Sequence, residues 1–115
     1  MNIKNPFFIL RLGLACVFLA NALTAIFMPQ EFKDIVEASV LMKFFPSLSS
    51  SLVVTLIAIN DSLVFLLLLL GKQLKYVAIW ASIWIIGVMV MIGEPLDILE
   101  HLGFLAMSAA LWLNE

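Results

Sequence analysis

Long apolar segments are what most constrain this chain. Residues 6–27, 49–70, 74–92 and 95–113 form four stretches of about twenty residues, which is the length that an α-helix rising about 1.5 Å per residue needs to cross roughly 30 Å of hydrocarbon. Composition excludes the soluble alternative. Of 115 residues, 64% are hydrophobic and 12% are charged, whereas a soluble domain carries about 25% charged residues. A chain this short leaves about a third of its surface wet after folding, and there are too few polar side chains here to cover it. The expected fold class is therefore all-α, a single transmembrane domain over residues 1–115 built as an integral membrane four-helix bundle.

The boundaries carry their own signals. Pro6 suits the opening turn of the first span and Met28-Pro29 closes it; Gly71 stops the second, Gly93 the third, and Glu94-Pro95 opens the fourth. Lys4 followed by an apolar run also suits a signal peptide, and Ala15-Cys16 a lipoprotein cleavage site. Arg11 interrupts such a signal core, Gly13 stands where a large aliphatic is wanted before Cys16, and apolar sequence continues to Phe27. The segment is read as a retained span. Cys16 is the single cysteine and has no partner for a bridge.

Between the first two spans, Phe32, Ile35, Val36, Ser39 and Val40 share one helical face opposite Glu31, Lys33, Asp34 and Glu37. This pattern predicts a short helix lying in the membrane interface, the alternative being a structured loop. Lys4, Lys72 and Lys75 fall on one side of the bundle in short segments, and Lys33 and Lys43 on the other within a longer connection. Lys and Arg collect on the cytoplasmic side, so both termini are expected in the cytoplasm and the protein in the cell's inner membrane. The net charge of -2 shows no basic patch, and no nucleic acid partner is expected.

Ionisable groups inside a span cost about 2.5 to 3.5 kcal/mol at mid-helix and need a partner or a wet cavity. Counted from the cytoplasmic face, Arg11 lies about 8 Å deep and Asp61 about 14 Å, and the gap of about 6 Å predicts an Arg11–Asp61 pair. Snorkelling of Arg11 to the headgroups is the alternative; Asp61 is too deep for that and must be paired or protonated. Asn21, Glu100 and His101 lie at a similar depth from the opposite face and form a second polar layer. That layer is the candidate ligand or proton site, with His101 as a proton carrier or hydrogen-bond donor to a quinone carbonyl. The structural alternative is a network that only pins helices together.

Small residues at Ser51, Thr55, Ala58 and Ser62, and at Gly103, Ala106 and Ala110, predict faces where helices meet. Trp112 suits an interfacial belt, while Trp80 and Trp84 face lipid or pack. One histidine with scattered carboxylates makes no metal-ligand spacing, and no catalytic residue is assigned.

Arg11-Leu12-Gly13 in the first span, an acid preceding a leucine run and glycine in the second (Asp61 to Gly71), and Glu100 in the fourth together resemble the DoxX family of small bacterial membrane proteins. The resemblance implies a four-helix membrane fold. For some relatives it implies a membrane subunit in thiosulfate-to-quinone oxidation or in an oxidant-defence assembly. Two positions depart from the pattern: the second-span acid, often Glu, is Asp61, and Asn21 stands where Gly or His is expected. The expected function is a membrane subunit of a quinone-linked redox system, with a redox partner protein or further copies of the chain as partners. The rivals are a structural or assembly protein without catalysis and a small oligomeric transporter.

Overall fold

The computed structural model describes the backbone of residues 6–47, 49–71, 73–92 and 95–114, and their side chains except at 40, 41, 92, 95–98 and 114. Lys4, Lys72, Gly93 and Glu94, which entered the reading of orientation and helix ends, lie outside these residues. Six helices follow in order: α1 (Pro6–Phe27), α2 (Pro29–Glu37), α3 (Val40–Phe44), α4 (Ser50–Leu70), α5 (Leu74–Ile92) and α6 (Pro95–Asn114). The described chain is all-helical, without a strand. By length and composition α1, α4 and the Leu74–Met91 part of α5 can each cross a membrane; α6 contributes a shorter apolar stretch, Leu99–Leu113.

Local chemistry sets the ends. The Ser49 hydroxyl accepts from the Leu52 N–H and caps α4, meeting one of the orphan donors of a helix N-terminus. Gly71 closes the same helix at φ +74°, with its N–H on the Leu67 carbonyl, a left-handed position that glycine takes at little cost.

The connection over 30–45 differs from the single short helix expected. It holds two, α2 and α3, because Ala38 and Ser39 interrupt the run: both N–H groups turn back onto α2 carbonyls, and the Ser39 hydroxyl bonds the Val36 carbonyl. Serine side chains compete with the ladder in this way. The faces of α2 sort by polarity only in part: Val36 is fully buried and Glu31, Asp34 and Glu37 are exposed, but Ile35 is exposed as well and Lys33 is half-buried.

Between helices surrounded by lipid there is no hydrophobic drive to associate, so close van der Waals packing and hydrogen bonds must hold the bundle. Packing follows that rule. Helix α1 lies chiefly on α4, and α5 on α6, with buried Ala15, Ala22 and Ala25 on α1 and Ala78, Ala81 and Ser82 on α5 letting the backbones approach. Leu14, Phe18, Val64, Leu68, Val77, Ile85 and Leu111 fill one core, and Val36, Val53, Val54 and Ile57 a second beneath α2.

The two expected small-residue faces serve as helix contacts only in part, Ala58 packing against the second core. Ser51 and Thr55 are exposed and Ala58 and Ser62 half-buried, because Val53, Val54, Ile57 and Asp61 occupy the inward phase of α4. On α6, Gly103 and Ala106 are exposed and nothing lies within 4 Å of a Cβ placed on Gly103; Ser108 and Leu111 face inward instead. The α5–α6 seam is closed by hydroxyls. Ser108 donates to the Ala78 carbonyl at 2.7 Å, Ser82 reaches Ser108 Oγ and the Ala78 carbonyl at 2.9 Å each, and the Trp112 indole donates to Ser82 Oγ at 3.2 Å. Trp112, expected in an interfacial belt, is also a hydrogen-bond partner in the seam.

Candidate functional site

The expected Arg11–Asp61 pair does not form. The Arg11 guanidinium lies against the end of α4, where a Cβ placed on Gly71 would meet Nη1 at 2.8 Å, and it covers the Phe8 ring at 5.1 Å. Arg11 Nε is buried without a hydrogen-bond partner. Asp61 lies ten residues earlier in α4, about 15 Å along the axis. Direction explains the outcome better than depth. Helical side chains lean toward their own N-terminus, and α1 and α4 are antiparallel, so Arg11 leans one way along the bundle and Asp61 the other. Arg11 instead sits at the negative end of the α4 dipole, which favours a cation.

The same register carries Asp61 into the second polar layer. With Arg11 beside Gly71, ten residues along each antiparallel helix bring Asn21 and Asp61 to about one level of the bundle. A cavity of about 190 Å³ opens there. Its lining brings together Asn21 from α1, Asp61 from α4, and Glu100 and His101 from α6, with Phe18, Trp84 and Phe104 among its apolar walls. Helix α2 covers one side through Phe32, Ile35 and Val36. Exposure is graded around this lining: Asp61 is 1% exposed, Asn21 and His101 are half-buried, and Glu100 is exposed. No Lys or Arg lines the cavity among the described residues.

Asp61 is oriented from behind. Asn60 donates from Nδ2 to Asp61 Oδ1 at 3.1 Å, and its own Oδ1 accepts from the Trp80 indole at 2.7 Å. An indole N–H can only donate, so it fixes which end of the Asn60 amide faces Asp61. Trp80 and Trp84 sit with ring centroids 6.2 Å apart, and the His101 ring meets Phe104 edge-on at 5.4 Å. Chemically, the lining combines amide, imidazole and carboxyl groups with aromatic side chains. Among the described residues, no three His, Cys, Asp or Glu side chains group as metal ligands would.

Sequence reasoning assigned Asp61 to the wrong layer and overlooked Trp84, Phe104 and the Asn60–Trp80 support. A usable signal existed on α6: His101, Phe104, Ser108 and Leu111 recur at helical spacing, which marks the face that looks inward.

Comparison with known proteins returns no match: no family model fits the chain, and no curated protein or solved structure is similar to it.

Proposed function

We propose that this chain is a DoxX-like integral membrane protein, a bundle of four transmembrane helices in the cell's inner membrane with both termini in the cytoplasm, serving as a membrane subunit of a quinone-linked redox system. The observation that carries the reading is the cavity that gathers Asn21, Asp61, Glu100 and His101 among aromatic walls. Ligand sites are mostly apolar with a few placed polar groups. Pockets for whole drug-sized ligands are about 300–1,000 Å³, so the smaller volume here suits one ring, with any tail left in lipid.

The residues fit a quinone ring. His101 and Asn21 supply N–H donors for carbonyl oxygens, Trp84 and Phe104 supply faces and edges for the ring, and Asp61 is held in place by Asn60 to exchange a proton at Oδ2. Bound there, a quinone would supply two-electron redox chemistry, its electrons coming from or passing to a partner protein. The chain's own part is to hold the ring, keep bulk water away with α2, and offer the proton.

Purified protein titrated with a short-tailed quinone should show saturable quenching of tryptophan fluorescence. His101→Ala should weaken that binding by about 2- to 10-fold, the loss of one hydrogen bond, while the melting temperature stays within a few degrees. Absence of saturable binding in the wild type would remove the redox reading and favour the structural one. For the topology, reporters fused after residues 46, 73 and 115 should read outside, inside and inside; an outside reading at 115 with inside at 73 would remove the fourth span.

A further inference from the structure

A second concavity lies outside the bundle and shares no lining residue with the Asp61 cavity. It is a groove of about 640 Å³ between α1, α2 and α4, floored by Ala25, Ala58 and Ser62 and walled by Ile26, Ile59 and Leu63. Among the described residues, Lys33 is its only charged lining residue. From Ser51 to Leu63 the groove follows α4 for thirteen residues, about 18 Å of helix.

We propose that this groove is a retained-phospholipid site, with one acyl chain lying along α4 and the phosphate paired with Lys33. Three observations point to that occupant. The groove joins a single cation at the α2 end to an apolar trough, which is the charge and polarity pattern of an anionic-headed amphiphile. Lys33 makes no ion pair with the acids of its own helix: Asp34 accepts from Gln30 at 2.8 Å, and Glu37 accepts from the Ser50 hydroxyl at 3.1 Å. The hydroxyl of Thr55 is already spent on the Ser51 carbonyl at 2.9 Å. A second helix docking here would find that donor engaged, whereas a hydrocarbon chain asks nothing of it.

The test is retention. Wild-type protein, purified in mild detergent and washed until bulk lipid is gone, should keep about one phospholipid per chain by native mass spectrometry and phosphorus assay. Lys33→Gln, a change on the surface of α2, should lower retention by at least about fivefold, the scale of one lysine at a lipid surface. Ala58→Phe, which fills the trough, should abolish it. Ser62→Leu serves the same purpose if Ala58→Phe fails to give a monodisperse peak. His101→Ala should leave retention unchanged, which separates this site from the quinone cavity. The proposal is overturned if wild type keeps no phospholipid, if Lys33→Gln and the filled groove keep as much as wild type, or if the groove variants abolish a dimer and not a lipid.

Discussion

The α5–α6 seam and the Asp61 cavity are both clusters of polar groups between helices, and they differ in whether space was left. In the seam, Trp112 bonds Ser82, and Ser82 and Ser108 bond each other and the Ala78 carbonyl, so every donor has an acceptor within 3.2 Å. Around the cavity, Asn21, Asp61, Glu100 and His101 come from three helices and face about 190 Å³ between them. A closed hydroxyl network in lipid holds helices together. Polar groups arranged around a void are what the proposed quinone site requires, and that difference, more than the polarity of either cluster, distinguishes the two regions.

Adding a leucine to each region breaks the comparison if it is wrong. Ala81 is completely buried beside the seam, so Ala81→Leu must push α5 off its neighbours and should destabilise the bundle by about 1–3 kcal/mol. Asn21→Leu keeps the shape of the side chain beside the cavity and removes only its polarity. Its effect on stability should stay within about 0.5 kcal/mol, while quinone binding weakens by about 2- to 10-fold because one donor is gone. Melting both variants in one detergent decides the matter. Equal losses of stability would mean that the cavity is packed interior and no site at all.

Much of the helix layout was legible in the sequence because lipid makes each segment declare itself. A helix in hydrocarbon must satisfy its own backbone, and α1, α4 and α5, the three able to cross a membrane, begin and end within a residue of the apolar stretches, as does α6. The interruption at Ala38–Ser39 was not legible, since it turns on a serine hydroxyl choosing a backbone carbonyl. The pairing of Arg11 was misread for a different reason. Depth can be counted along a sequence, but whether two side chains converge depends on helix direction and register. Once Arg11 is seen beside Gly71, the same counting places Asn21 opposite Asp61. Asn21, Glu100 and His101 were recognisable as one layer from depth alone; Trp84 and Phe104 were not, because aromatic residues are common on every face of a membrane helix.

The smallest effect tests the finest part of the comparison, the support behind Asp61. Trp80 is 47% exposed on the outside of α5, yet its indole fixes Asn60, and Asn60 fixes Asp61 inside. Trp80→Phe keeps the ring beside Trp84 and removes only the N–H, so stability should fall by about 0.6 kcal/mol, typical of one hydrogen bond in a membrane bundle. Freed of that donor, the Asn60 amide can turn its oxygen toward the carboxyl, and quinone affinity should fall about twofold. The decisive measurement is a double-mutant cycle with Asn60→Leu. If the chain runs from Trp80 through Asn60 to Asp61, removing Asn60 first leaves Trp80→Phe without further effect on binding, because nothing remains to relay it. Additive losses would show that Trp80 acts on the cavity through its ring contact with Trp84, and that Asp61 is held by Asn60 alone.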